Sequence, residues 1–215
     1  MTRFRPRLMV MTREPRLGRV KSRLAEDIGR IGALRVHRRL TTHVFRRLSG
    51  PEDWDRIALV TPDSAVGGQP FWPRGWRAVG QGRGDLGARM ARPMRDLPRG
   101  PAVLVGADIP DIEKRHVREA FRLLGRCDAV FGPAADGGFW LVGFARRRPV
   151  PRNLFSGIAW SRRTTLADTL ASLSESSIAF VDQLGDLDRA ADLPLDGTLA
   201  DSYNRSREKR RDAAQ

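Results

Sequence analysis

Short apolar runs alternate along the chain with stretches in which apolar residues recur at helical spacing. Leu8–Met11, Ile57–Val60, Val103–Val105, Ala129–Phe131 and Phe139–Phe144 are the apolar runs. Strands buried on both faces need apolar side chains at successive positions, so each run predicts a strand of a parallel sheet. Between them, Leu34, Leu40, Val44, Phe45 and Leu48 fall on one helical face with arginines on the other. Leu86–Leu97, Val117–Leu124 and Thr164–Leu173 predict further helices, and Pro93 should kink or shorten the first of these. Gly67–Gly84 is rich in Gly, Pro and Trp and predicts a long surface connection with a strand around Trp76–Val79. Strands alternating with helices predict a single-domain, three-layer α/β/α protein on a mainly parallel sheet. The domain should span residues 1–204, with a disordered charged tail at 205–215.

Composition narrows the setting. A chain of 215 residues suits one domain that buries its core without metals or disulfides. Cys127 is the only cysteine, so no intrachain disulfide forms, and it is expected to be a small buried residue. No apolar run approaches the ~20 residues needed to cross a bilayer, and Leu8–Met11 is too short for a signal-peptide core. A cytoplasmic protein is expected. The formal charge is +14, and only Lys21, Lys114 and Lys209 are lysines. The arginines are dispersed, with local excess only at Arg146–Arg148 and Arg205–Arg211. Nucleic-acid modules concentrate their charge and interleave stacking aromatics, so a small anionic substrate is the better expectation. A non-catalytic basic nucleic-acid-binding protein is the competing class.

Five segments carry candidate chemistry. The run ending at Asp108 stops where open α/β sheets bind ligands, just beyond the carboxyl ends of the strands. Asp108 there either holds a divalent cation or caps the helix expected from about Glu113. The loop Arg13–Leu24 follows the first strand and presents Gly18, Lys21 and Arg23 to an anion, although it lacks the Walker A spacing. Gly82-Arg-Gly-Asp-Leu-Gly87 matches G-x-G-x-x-G with Asp108 downstream, but Trp76–Val79 is a poor buried strand. The plainer expectation is a Gly-rich loop in which Asp85 caps the next helix. Asp136-Gly137-Gly138 either turns a hairpin or lets a ligand approach the backbone, with Asp136 accepting hydrogen bonds from hydroxyls. Asp186, Asp188 and Asp192 form a late acidic cluster in which Asp188 is either a second metal ligand or part of a capped final helix. His37, His43 and His116 have no metal-ligand spacing and are expected to be structural.

In order, these segments resemble a bacterial family of nucleotide-diphospho-sugar transferase-like proteins formerly of unknown function, which includes proteins assigned to arsenosugar-biosynthesis glycosyl transfer. The motifs are Pro15-x-x-Gly18-x-Val-Lys21-Ser-Arg23-Leu, Gln81-x-x-x-Asp85-Leu-Gly87-x-Arg89-Met90 and Gly106-x-Asp108-Ile-Pro110-Asp111. Gly132-Pro-x-x-Asp136-Gly-Gly-x-Trp140, Phe155-x-x-Ile158-x-Trp160-Ser161 and Asp186-x-Asp188-x-x-x-Asp192-Leu complete the series. Ser22 and Phe139 stand where that family's pattern has Thr and Tyr. The resemblance implies a GT-A fold with a Rossmann-like, mixed and mainly parallel sheet, distantly related to molybdenum-cofactor and 2-phospholactate guanylyltransferases. It implies that Gly18, Lys21 and Arg23 bind nucleotide phosphates and that Gln81, Asp85 and Gly87 approach base or ribose. Asp108 and Asp188 would hold Mg²⁺ or Mn²⁺, and Asp136, Gly137, Gly138, Trp160 and Ser161 would face the acceptor. Asp108, Lys21 and Asp136 would then be the catalytic residues of a metal-dependent transferase with a nucleotide-activated donor. Glycosyl transfer from an NDP-sugar to a small-molecule acceptor is the leading version; nucleotidyl transfer from an NTP with release of pyrophosphate is the alternative.

Overall fold

A computed structural model gives the fold of residues 4–193; the predicted tail at 205–215 and the domain end at 204 lie outside the described residues. The apolar runs form strands β1 (Arg7–Arg13), β2 (Asp55–Thr61), β4 (Ala102–Gly106), β5 (Ala129–Pro133) and β6 (Phe139–Phe144). β3 (Arg77–Gly80) is a short strand at the sheet's edge, and β7 (Ile178–Phe180), at the opposite edge, falls in a stretch where no strand was expected. The seven strands make one sheet in the order β3-β2-β1-β4-β6-β5-β7. Only β6 runs antiparallel to its neighbours. It follows β5 through the turn at Asp136–Gly138, where the Ala134 N–H donates to the Gly138 carbonyl (3.0 Å).

Alternate residues of each strand enter separate cores, as the pleat requires. Leu8 and Val10 of β1, with Val103 and Val105 of β4, pack under helices α1 (Ser22–Arg47) and α3 (Lys114–Leu124). Met9, Ile57, Leu59 and Leu104 face the other way, toward Met90 and Met94 of α2 (Leu86–Asp96) and Leu173 just beyond α4 (Thr165–Ala171). The result is the predicted three-layer sandwich, in which each fully buried Leu, Ile or Phe contributes roughly 1.5–3 kcal/mol. α1 begins earlier than the apolar periodicity suggested and bends at Gly29, whose φ of 77° interrupts the helix. Pro93 lies inside α2 rather than at its end. The helix runs on to Asp96, with Pro93 itself buried between Met90 and Met94.

β1 and β4 are neighbours, but the chain leaves β1 toward β2 and leaves β4 toward β5, so the two connections part in opposite directions along the sheet. That divergence opens a crevice beyond Arg13 and Gly106, the topological switch point at which open α/β sheets bind ligands. Among the described residues, no helix is long and apolar enough to cross a membrane.

Candidate active site

A cavity of about 560 Å³ occupies the switch point, within the range of small-molecule sites. Its floor is the carboxyl ends of β1 and β4, and its walls come from the β1–α1 loop, α2, the β5–β6 turn, residues 160–162 and residues 186–188. Lys21 is the last residue of the β1–α1 loop, held in the left-handed region at φ 47°. For a residue with a side chain this conformation costs of order 1 kcal/mol, and such strain persists where surrounding contacts fix it. Those contacts are carboxylates. Lys21 Nζ lies 2.8 Å from Asp188 Oδ1 and 3.2 Å from Asp108 Oδ2, and Arg23 Nη1 reaches Asp188 Oδ2 at 3.2 Å. Burial works against the Lys21 charge, but the two aspartates outweigh it and raise its pKa. Asp188 shows the converse: burial favours its neutral form, while Lys21 and Arg23 hold its pKa below the usual carboxylate value.

Backbone geometry brings the late acidic segment here. Leu187 is fully buried and its N–H donates to the Asp108 carbonyl at 3.1 Å. Asp192 accepts from the Asp188 and Arg189 N–H groups (2.9 and 2.7 Å), and Asp27 of α1 accepts from Ala190 N–H (3.0 Å). Asp186 and Asp188, flanking the buried Leu187, thereby join Asp108, with one carboxylate oxygen of each within 4.8 Å of the others. Asp186 is the member that sequence reasoning left without a role. No cation pairs with it among the described residues. Burial and then the charges of Asp108, Asp188 and Asp136 push its pKa to about 6. Three clustered carboxylate oxygens, one of them lacking a counter-charge, fit a hard divalent cation such as Mg²⁺ or Mn²⁺. The Asp-x-Asp spacing around a leucine was the available signal, because residues two apart in non-helical chain can face the same way.

The remaining candidates divide between cavity and scaffold. Asp108 does not cap α3; Glu113 and His116 form that cap reciprocally. Asp136, Gly138, Trp160 and Ser161 line the cavity, and Asp136 Oδ1 accepts from Gly138 N–H at 2.9 Å. Gly137, at φ 89°, packs against the Arg163 main chain, where a Cβ would collide with the carbonyl. Gly18, at φ 72°, turns the loop outside the cavity lining. Gly87 serves packing: a Cβ there would lie 2.8 Å from the Trp160 ring. Asp85 caps α2 by accepting from Ala88 N–H (2.8 Å) and is absent from the lining, as the plainer reading of the glycine-rich loop expected. Gln81 lines the cavity but is buried, donating to the Thr12 and Leu59 carbonyls (2.9 and 2.8 Å) and accepting from Arg89 (3.1 Å).

His37 lines the cavity but is buried with its ring against the Arg13 carbonyl, while His43 and His116, outside the lining, likewise engage main-chain groups. Cys127 is half-buried rather than buried, since the turn before β5 reaches the surface. Arg146 and Arg147, two of the three arginines in that basic run, donate to main-chain carbonyls and so do not form a free patch.

The sheet order and its switch-point cavity define a protein of the nucleotide-diphospho-sugar transferase fold. A Desulfovibrio desulfuricans G20 protein, provisionally named a nucleotide-diphospho-sugar transferase, superposes with a TM-score of 0.77 at 24% identity, over 95% of this chain and 94% of that one. Residues 44–162 match the family described as uncharacterized proteins conserved in bacteria (DUF2064), and the chain belongs to that family. A 4-diphosphocytidyl-2C-methyl-D-erythritol synthase from Anaerococcus prevotii DSM 20548 is more distant, with a TM-score of 0.54 and 10% identity over 94% of this chain and 96% of that one. CMP:2-keto-3-deoxy-manno-octonic acid synthetase complexed with CTP gives 0.54 and 13% over 87% and 95%. At these identities the likeness establishes the fold. No curated protein shows a significant match to the chain.

Proposed function

We propose that the protein is a metal-dependent transferase that uses a nucleotide-activated donor, in its leading form a glycosyl transferase acting on an NDP-sugar. The observation that carries this reading is the convergence of Lys21 with Asp108, Asp186 and Asp188 at the switch point. Asp108, Asp186 and Asp188 would hold Mg²⁺ or Mn²⁺, which when bound neutralises charge on the donor's phosphates. Lys21 and Arg23 bind the same phosphates and stabilise the charge that grows as the nucleoside diphosphate leaves. The far wall suits a sugar or a hydroxylated acceptor. Phe139 and Trp160 meet edge to face at 6.2 Å and offer apolar surface, beside Asp136. Asp136 keeps one oxygen free of Gly138. It accepts the proton of the acceptor hydroxyl, whose oxygen bonds to the anomeric carbon as the bond to the diphosphate breaks.

A second reading, nucleotidyl transfer, is supported by Lys21 lying at the end of the loop after β1, where by likeness to guanylyltransferases it would meet the phosphate chain. Here the acceptor oxygen attacks the α-phosphate and pyrophosphate leaves. Calorimetric binding of nucleotides and nucleotide-sugars with Mn²⁺ tests the common core. Asp108→Asn should abolish the Mn²⁺-dependent part of the affinity, and an unchanged affinity would remove the metal assignment. Transfer from an NDP-sugar supports the first version and pyrophosphate release from a bare NTP the second. Nucleic-acid binding that falls steeply with salt and ignores Lys21 and Asp108 would favour a non-catalytic basic protein instead.

A further inference from the structure

The cavity holds a second cationic group whose circumstances differ from those of Lys21. Arg13 ends β1 and Arg89 lies on the first turns of α2; both guanidinium-bearing side chains line the cavity. Neither has a carboxylate partner among the described residues. Arg13 donates to the Arg19 carbonyl (3.1 Å), and Arg89 donates to the Asp85 carbonyl (3.2 Å) and to Gln81 Oε1 (3.1 Å). The Gln81 amide group is in turn locked by the Thr12 and Leu59 carbonyls, so the Arg89 fork is anchored to the residue next to Arg13. Thr12, 5% exposed, lines the same wall, and its hydroxyl has no partner among the described residues. Burial and then the nearby Arg13 charge lower the Arg89 pKa, against a smaller opposing pull from the Asp85 carboxylate, which is engaged in capping α2.

Holding two guanidinium groups together without a salt-bridged acid is unfavourable unless an anion joins them, and planar forks match oxyanions with paired hydrogen bonds. We propose that Arg13 and Arg89, aimed by Gln81, form a metal-independent oxyanion subsite that takes a phosphate or carboxylate of the substrate. The subsite and the aspartate cluster are held by different partners, so the one binds without the other. The transferase reading is needed only to say which molecule carries the anion. That group is either the donor's own phosphate or a separate acidic group on the transferred unit or acceptor.

Isothermal titration with orthophosphate in the presence of a chelator tests the subsite. Wild-type protein should bind, and Arg89→Gln and Arg13→Gln should each weaken binding about tenfold or more, whereas Arg39→Gln on the exposed face of α1 should not. Absence of phosphate binding by the wild type, or equal binding by Arg89→Gln and Arg39→Gln, overturns the proposal. Repeating the titration with saturating nucleoside diphosphate and Mn²⁺ identifies the source. Competition assigns the subsite to the donor's phosphate, and simultaneous binding to a separate anionic group. Because the primary measurement contains no metal or nucleotide, its failure is distinct from failure of the transferase reading.

Discussion

Lys21 and Arg89 share one cavity and one sign of charge, yet they are held in opposite ways. Lys21 is saturated: Asp108 and Asp188 flank it, its side chain is 8% exposed, and its charge is matched before any ligand arrives. Arg89 leans only on neutral acceptors, the Asp85 carbonyl and the Gln81 side chain. A cation already balanced by acids stabilises the ligand-free protein and organises carboxylates for a metal, whose uptake by those carboxylates would release Lys21 toward the donor's phosphates. A cation without a salt-bridged acid is preorganised for an anion. One end of the cavity is therefore built around negative charge awaiting a cation, and the other around positive charge awaiting an oxyanion.

The contrast can be broken by substitution. Lys21→Met should have the largest effect, lowering the unfolding free energy measured in chelator by about 3 kcal/mol. This is the low end for breaking a buried pair, because both acids keep partial access to water. Gln81→Leu should cost about 2 kcal/mol by leaving the Thr12 and Leu59 carbonyls unpaired, and should weaken phosphate binding by releasing Arg89. Asp186→Asn should act in the opposite direction. The folded state holds the Asp186 proton more tightly than the unfolded chain does, so ionising this carboxyl costs stability. That cost is fully present above about pH 6 and absent below the ordinary aspartate value. In chelator the Asn variant should therefore melt higher than wild type at neutral pH, with the gap closing as the pH falls from 6 toward 4. Arg89→Gln should be nearly silent in stability, within about 0.5 kcal/mol, because no salt bridge is lost with it. Urea unfolding curves measured side by side resolve all four.

Much of this architecture was legible in the chain. Five apolar runs became the strands that build the sheet, because burial on both faces leaves a mark in sequence. The family resemblance carried by the motifs also implied one site for Lys21, Asp108 and Asp188, and their side chains do meet. β7 left no such mark: it is three residues long, half-exposed and on the sheet's edge. Asp186 was passed over because its role depends on the Leu187–Asp108 main-chain hydrogen bond, a contact that residue spacing does not reveal. Asp85 and Gly87 looked like ligand contacts because their glycine-rich surroundings suit a nucleotide. Helix capping and close packing against Trp160 use the same residue types. Arg89 was visible within its motif, but that it has no acid partner emerges only from three-dimensional neighbours.

The three-aspartate cluster is tested most directly by titrating the protein with Mn²⁺ and following the free ion by electron paramagnetic resonance. Wild-type protein should take up a single Mn²⁺ at neutral pH, and Asp108→Asn, Asp186→Asn and Asp188→Asn should each weaken that uptake about tenfold or more. Uptake should also decline below pH 6 as Asp186 becomes protonated. Absence of stoichiometric uptake, or uptake indifferent to all three substitutions, would contradict a metal site at the end of β4.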